Sequence, residues 1–236
     1  FETVDTLDAA LSTAATVGIP AQNFVAGDDK GNIGWTIVGA MAGRAQPGVG
    51  STFPISAANA GAGWQAPLAP EAYPVLRNPA GGQLSTANSR QLNGEGAKLI
   101  GDGGFDIGAR NRQARDRLAA LGNRADVAGV YGVAMDNRAL FIAPWRERAL
   151  KVLDGAALDG KPQRAEFQRL LKDSWSGRAS IDSVGYRLAR HFMWSMHDVL
   201  YGAANTEMTL LDEKATAAAA SSRWPAVVAR LLDEQP

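Results

Sequence analysis

One segment of the chain constrains its fold more than any other, because two strand-like runs flank a short polar turn. Residues 22–27 and 33–39 are apolar and rich in residues that favour β-strands, and Asp-Asp-Lys-Gly-Asn lies between them. Gly31 can supply the positive φ that a tight hairpin turn requires. The sequence therefore predicts an antiparallel β-hairpin over residues 22–39.

A second informative segment, residues 78–90, reads Asn-Pro-Ala-Gly-Gly-Gln-Leu-Ser-Thr-Ala-Asn-Ser-Arg. Its Pro/Gly start predicts a turn, and we interpret residues 83–88 as a short strand that ends at Asn88. An asparagine amide at such a position is an uncharged hydrogen-bond donor that needs no counter-ion. On residue type alone the simpler interpretation is structural, because asparagine is common where strands end and chains turn.

Composition excludes several classes of function. Lys plus Arg and Asp plus Glu number 24 each, so net charge gives no reason to expect nucleic acid or an anionic membrane surface as a partner. The absence of cysteine excludes disulfides, cysteine-ligated zinc and a thiol nucleophile from these residues. No apolar run approaches the roughly 18–20 residues of a membrane-spanning helix. His191 and His197 do not have the three- or four-residue spacing that places two ligands on one helix face, so we predict core or boundary histidines and no metal site.

The local patterns change character near Gly122. Before it, strand and loop signals dominate, with an amphipathic helix over 5–17, a Gly/Pro/Ala-rich excursion over 43–79, a glycine-rich loop over 93–108 and an Arg-rich helix over 110–121. After it, helical periodicity dominates, in the ranges 140–153, 164–175, 183–201, 209–220 and 225–232. We therefore predict an α+β chain, with a strand- and loop-rich part over residues 1–122 and a helical subdomain over residues 123–236.

Taken in order, these motifs resemble the penicillin acylase family of N-terminal-nucleophile hydrolases. Residues 23–35 are similar to the family's hairpin, N-x-x-x-A-D-x-x-G-N-I-G-[YW], and residues 39–44 to the G-x-x-x-x-R element that follows it. Residues 64–70 keep part of W-x-G-x-x-P, and residues 78–88 keep the N-P segment that ends in asparagine. Any one of these motifs is weak evidence, but their order and approximate spacing are preserved over residues 1–120.

The resemblance implies an internal segment of the β subunit, in which residues 1–122 supply part of the αββα sheet structure of this fold. It also implies hydrolysis of a linear amide through an acyl-enzyme on an N-terminal serine, whose own α-amine acts as the base. Because Phe1 cannot perform that chemistry, we expect the serine on another part of the precursor and expect this chain alone to be inactive.

The resemblance assigns roles to three residues. Asn88 corresponds to the asparagine whose side chain donates to the oxyanion. Arg110, with Arg112 as second choice, corresponds to an arginine that supports that asparagine, although a solvated helix face would explain it equally well. Gln22 corresponds to a residue that lines the acyl pocket, where a glutamine would make the pocket more polar or would point away.

Members of the family often bind calcium near the site, but the sequence gives little support for it here. Residues 43–49, which correspond to part of the family's calcium site, contain no carboxylate. Asp102 could be one ligand, but a single carboxylate does not make a site for a hard cation. We therefore predict no cofactor.

The resemblance leaves the substrate and one alternative open. The substrate classes implied are penicillins or related β-lactam amides, phenylacetyl-type amides and acyl-homoserine lactones. The implied partners are the remaining portions of the same α/β precursor, and the implied location is periplasmic or secreted. The alternative is a non-catalytic fragment or degenerate family member that acts as an interaction module. A γ-glutamyltransferase-like enzyme would be expected to open with threonine, and nothing in the sequence favours it.

Overall fold

The computed structural model describes residues 1–45, 56, 58, 63–101, 104–122, 125–214 and 222–234, which form two compact units. The first unit is Phe1–Asp126 and the second is Val127–Pro236. Helices and small antiparallel sheets make up the described residues, so the α+β class predicted from the sequence is confirmed. No helix among the residues described is both long and apolar enough to cross a bilayer.

The first unit holds all the strands that the structure describes. In chain order its elements are α1 (Leu7–Ala14), β1 (Gln22–Gly27), β2 (Ile33–Val38), β3 (Ala42–Arg44), β4 (Trp64–Pro67), a single 3₁₀ turn (Pro70–Ala72), β5 (Leu76–Arg77), α2 (Gly94–Ile100) and α3 (Ala109–Leu121). One antiparallel sheet has the order β1-β2-β5, and β3 pairs with β4 in a second. The predicted hairpin is confirmed, with Gln22 opposite Val38 and Gly27 opposite Ile33.

The hairpin turn is closed by Asp28. Its Oδ1 accepts hydrogen bonds from the backbone N–H groups of Lys30 at 3.0 Å and Asn32 at 2.8 Å, and its Oδ2 accepts one from the Asn32 side chain at 2.8 Å. The last of these is the main reason why the pKa of the Asp28 carboxyl lies below its ordinary value. Gly31 has φ of 83°, a conformation in which a side chain would be strained.

Strand β2 is central and is buried on both faces. On one face Leu7 and Leu11 of α1 pack so closely on Gly34 that an added Cβ there would lie 2.9 Å from the Leu11 side chain. On the other face Trp35 and Ile37 form a cluster with buried residues from the following loops, Met41 and Tyr73. The hairpin is therefore held by α1 on one face and by an apolar cluster with loop residues on the other.

The strand predicted over residues 83–88, which lead to Asn88, is wrong. Residues 83–88 form no strand, and Asn88 occupies a left-handed bend with φ of 57°. None of the strands that the structure describes pairs with this segment; instead the Gln83 side chain donates to the carbonyl of Leu118 in α3 at 2.9 Å. Only Ser89 pairs, in an isolated bridge with Asp106.

Two loop predictions for the first unit also need correction. Part of the range 93–108 is helical, because the good helix formers between Glu95 and Leu99 build α2, with an ion pair between Glu95 and Lys98 one turn apart. In its described residues, the excursion over 43–79 contains the end of β3 and two short strands, β4 and β5. Neither segment has the long periodic pattern from which such short elements could be recognised.

All the regular elements that the structure describes in the second unit are helices, and one isolated antiparallel bridge joins Arg138 and Arg178. Its elements are α4 (Val127–Ala134), α5 (Ala143–Val152), α6 (Gly155–Leu158), α7 (Pro162–Asp173), α8 (Val184–Leu211) and α9 (Trp224–Asp233). Its core is one cluster from α5, α7, α8 and α9, made of Ile142, Trp145, Ala149, Leu171, Ala189, Met193, Trp224 and Val228. His197 is buried beside Trp224, as expected of a core histidine, whereas His191 is exposed.

The separate helices predicted over 183–201 and 209–220 are wrong, because α8 runs without a break to Leu211. Residues 215–220 lie outside the described part of the chain. Between the two predicted ranges, two threonine hydroxyls donate back to helix carbonyls, Thr206 to Gly202 at 3.0 Å and Thr209 to Asn205 at 2.7 Å. The polar side chains in this stretch are thus accommodated on the helix surface.

Candidate active site

A cleft with a volume of about 760 Å³ lies within the first unit. It is bordered by the hairpin, by β3, by the bend that carries Asn88 and by the first turn of α3. All three residues predicted for a site line it: Gln22, Asn88 and Arg110. Apolar side chains make up much of the rest, namely Trp35, Ile37, Met41, Ile100 and Phe105.

Asn88 is exposed to the cleft on a bend that is fixed by its neighbours. Asparagine is among the few residues with a side chain that adopt a positive φ readily, and Asn88 does so at 57°. Its backbone carbonyl accepts a hydrogen bond from the backbone N–H of Asp106 at 2.9 Å, which joins the bend to the segment before α3. The bend therefore presents the Asn88 side chain from a backbone that is joined to the segment before α3.

Arg110 determines how the Asn88 amide is oriented. Its Nη2 donates to Asn88 Oδ1 at 2.8 Å, and more weakly to the Ala87 carbonyl at 3.4 Å. Because a guanidinium has donors and no acceptor, the amide atom that meets it must be the oxygen. The Nδ2 group of Asn88 then points away from Arg110, and none of the described residues accepts a hydrogen bond from it. The arrangement leaves one neutral N–H₂ group available to a molecule in the cleft.

The structure distinguishes Arg110 from Arg112. Arg110 lies in the first turn of α3, where it also forms an ion pair with Asp106 at 3.2 Å. Arg112 is exposed, and two positions along a helix correspond to a rotation of about 200°. Arg112 therefore points away from the side of α3 that faces Asn88.

Gln22 lies at the rim of the cleft. In the hairpin it is opposite Val38, on the face that is covered by α1, whereas its neighbour Asn23 is opposite Ile37 on the other face. Asn23 Oδ1 accepts a hydrogen bond from Trp35 Nε1 at 2.9 Å, which fixes the indole that forms part of the cleft wall. The strand register thus makes Trp35 and Ile37 the wall of the cleft and leaves Gln22 at its edge.

Sequence reasoning assigned no role to Arg44, although it ends the G-x-x-x-x-R element. Arg44 lines the cleft, and its Nη1 donates to the carbonyls of Leu99 at 3.1 Å and Ile100 at 3.3 Å. These carbonyls lie at the C-terminal end of α2, where helix carbonyls lack partners within the helix. Arg44 therefore fastens α2 to the cleft, a role that the motif alone could not reveal.

The comparison with known families now bears on this site. The chain matches the model of the penicillin amidase family over residues 1–236, its whole length. The chain belongs to the penicillin amidase family. A search of the curated proteins finds no match. Penicillin amidases are amidohydrolases of the N-terminal-nucleophile type, so the intact protein belongs to a family of hydrolases.

The calcium expected of many penicillin amidases finds no support in the described residues. Of the region considered for its ligands, residues 43–49, positions 46–49 lie outside the described part of the chain, and so does Asp102. Among the residues that are described, no three Asp, Glu, His or Cys side chains lie close enough together to hold a metal ion. The described residues that line the cleft include no Asp or Glu, so amide and hydroxyl oxygens there would have to bind a hard cation without a carboxylate.

Proposed function

We propose that the intact protein hydrolyses a linear amide through an acyl-enzyme on an N-terminal serine outside these residues, with Asn88 as a donor to the oxyanion. The observation that carries this proposal is the hydrogen bond from Arg110 Nη2 to Asn88 Oδ1 at the cleft. It holds the amide so that its Nδ2 group is the part available to a substrate. Family membership supports the reaction class.

The chemistry requires a donor where negative charge develops. The serine oxygen attacks the amide carbonyl, and the serine's own α-amine accepts its proton, since such an amine has an ordinary pKa of roughly 7.7–8.0. The carbonyl oxygen becomes an oxyanion, to which Asn88 Nδ2 donates. Collapse of this intermediate expels the amine with a proton from the α-ammonium, and water then hydrolyses the acyl-enzyme. A pre-oriented donor of this kind contributes about 10²–10³ in rate.

Arg110 supports the donor in two ways. It fixes the amide orientation, and its positive charge next to Oδ1 draws electron density from the amide, which makes the Nδ2 hydrogens better donors. Because the ion pair with Asp106 balances its charge, Arg110 need not bind the oxyanion itself. We therefore propose that Asn88 donates the hydrogen bond to the oxyanion and that Arg110 supports Asn88.

The cleft walls suit an amide with an apolar acyl group. Trp35, Ile37, Met41 and Phe105 offer apolar surface next to Asn88, whereas the strand register keeps Gln22 at the rim. β-Lactam amides, phenylacetyl amides and acyl-homoserine lactones all combine an amide with an apolar acyl group. The family also supports autocatalytic processing of a precursor into two subunits, and a periplasmic or secreted location, as parts of the same proposal.

The proposal is tested by replacing Asn88 in the protein expressed from the complete gene. We expect Asn88→Ala to lower kcat by about 10²–10³ on a chromogenic anilide, with phenylacetyl and straight-chain acyl groups tried as substrates. Asn93→Ala is the matched control, because Asn93 is exposed and its side chain makes no cap hydrogen bond to α2. The control should keep wild-type kcat, and an Asn88→Ala enzyme that also keeps it would contradict the proposal.

The alternative of a non-catalytic module has its own signature. If the residue released at the N-terminus of the processed chain is not Ser, Thr or Cys, and no anilide in the panel is hydrolysed, the module interpretation is favoured. Residues 1–236 alone should be inactive in either case, and turnover by this chain without the rest of the precursor would contradict the assignment of the nucleophile.

A further inference from the structure

We propose that Asp106 is a positioning residue, which holds Arg110 and through it the Asn88 amide in the orientation that hydrolysis requires. The inference rests on the proposed role of Asn88 as oxyanion donor. Neither the sequence motifs nor the family match assigns a role to Asp106. Hydrogen bonds join the Asp106 carboxylate to the Arg110 guanidinium, and the guanidinium to the Asn88 amide at the cleft.

The hydrogen bonds converge on one nitrogen of Arg110. Asp106 Oδ2 accepts from Arg110 Nε at 3.3 Å and from Nη2 at 3.2 Å. The same Nη2 donates to Asn88 Oδ1 at 2.8 Å, and its two hydrogens allow both contacts at once. With Asp106 removed, Nη2 would be held toward Asn88 only by that hydrogen bond and by the weaker one to the Ala87 carbonyl at 3.4 Å.

Asp106 is itself well placed to serve as the fixed end. Its Oδ1 accepts from the backbone N–H of Ile107 at 2.7 Å, and its own N–H donates to the Asn88 carbonyl at 2.9 Å. Its side chain is 34% exposed, against 63% for Arg110, so the carboxylate is the more shielded partner. A long, exposed arginine loses considerable freedom when it is held in one geometry, and a fixed carboxylate supplies that restraint.

The chain offers a matched comparison for an ordinary surface ion pair. On the same helix, Asp116 Oδ1 accepts from Arg115 Nε at 3.2 Å and from Nη2 at 3.0 Å. Both of those side chains are more than half exposed and neither lines the cleft. Exposed ion pairs of this kind contribute little. Asp106 differs because its partner, Arg110, also donates a hydrogen bond to Asn88.

The test uses the protein expressed from the complete gene and compares D106N with D116N. Asparagine at 106 keeps one acceptor for Ile107 or for Arg110, but not for both. We expect D106N to lower kcat about 10- to 100-fold with little change in KM, because a donor misplaced by about 1 Å loses this much. D116N should keep wild-type kcat, and D106E, which restores the carboxylate, should recover part of the loss.

Adding D106N to the R110A variant distinguishes a positioning role of Asp106 from a merely structural one. If Asp106 acts through Arg110, D106N added to R110A causes no further loss of kcat. The inference is overturned if D106N behaves like D116N, if it lowers kcat equally in both backgrounds, or if D106E recovers nothing at a temperature where every variant is folded. Failure of the proposed function looks different, since N88A would then retain full activity whatever D106N does.

Discussion

The two units of the chain are stabilised in different ways. In the second unit, helices pack apolar side chains into one cluster around Trp145 and Leu171. The first unit has a smaller apolar cluster around Trp35, and side chains there also bind the backbone of distant segments. The Tyr73 hydroxyl donates to the Gly39 carbonyl at 2.8 Å and accepts from the Met41 N–H at 2.9 Å, and Asn78 Oδ1 accepts from the Ile33 N–H at 2.9 Å.

This difference explains why the candidate site lies in the first unit. A bend at positive φ, such as the one at Asn88, presents a polar side chain in a direction that no helix position offers. Such a bend persists only if surrounding groups determine it, and polar contacts between segments do so here. A packed helical core maintains its shape without such bends.

The largest stability effect should come from the helical core. Leu171 of α7 is 0% exposed, so Leu171→Ala should cost about 2–5 kcal/mol of unfolding free energy through lost burial and a residual cavity. Leu210 of α8 is 76% exposed, and Leu210→Ala should change that free energy by less than about 0.5 kcal/mol. Urea unfolding followed by circular dichroism measures both. An equal loss of unfolding free energy at the two positions would show that burial in the helical core is not what stabilises the second unit.

A smaller effect should come from one hydroxyl in the first unit. Tyr73→Phe keeps the ring but leaves the buried N–H of Met41 without its acceptor, which should cost about 1–3 kcal/mol. Tyr131→Phe is the control, since Tyr131 is 65% exposed on α4. Thermal unfolding of the two variants should shift only for Tyr73. A Tyr73→Phe variant as stable as the wild type would show that the first unit does not depend on such polar contacts.

The contrast between apolar helix packing and polar contacts between segments also explains which features the sequence could predict. Periodic apolar positions gave the helices around Trp145, Leu171 and Val228, because burial of one helix face leaves a repeating pattern. The hairpin was found from Gly31 and its flanking runs. The left-handed bend at Asn88 has no such pattern, since it depends on the carbonyl contact with Asp106 and on the packing of Gln83 against α3.

The site was predicted in part. The resemblance selected Asn88 and Arg110, and the structure places them in hydrogen-bond contact; their catalytic roles stay predictions. Gln22 was selected too, but the strand register leaves it at the rim. Arg44 was missed because its contacts join segments far apart in the chain. Asp106 is four residues before Arg110, but its link to Asn88 joins two separate segments, which no local spacing reports.

The smallest effect concerns acid stability and compares one carboxylate from each unit. The pKa of Asp28 is lowered chiefly by the Asn32 side chain, and that of Asp233 chiefly by the Arg148 guanidinium. Each folded-state pKa lies below the ordinary value of 3.8, so each group stabilises the fold above that pH and its contribution is lost as the pH falls through the folded-state pKa. Asp28→Asn and Asp233→Asn should each make the acid loss of stability shallower.

The stability contributions of Asp28 and Asp233 should differ in their dependence on salt. Salt near 1 M, where charges are screened within about 3 Å, should shrink the Asp233 contribution, because its partner is a cation. The Asp28 contribution should change less, because its main partner is a neutral amide. Unfolding free energies measured between pH 5 and pH 2 at low and high salt test this, and equal salt sensitivity of the two variants would remove the distinction.

The central claim is that Arg110 holds the Asn88 amide so that Nδ2 faces negative charge in the cleft. The most direct measurement is inhibition of the processed, intact enzyme by a boronic acid that forms a tetrahedral adduct with its nucleophile. Asn88→Ala should weaken that inhibition by about 10²–10³, in proportion to its loss of kcat/KM, while KM changes little. Inhibition that is equally strong in Asn88→Ala and wild type would show that this amide does not bind the oxyanion.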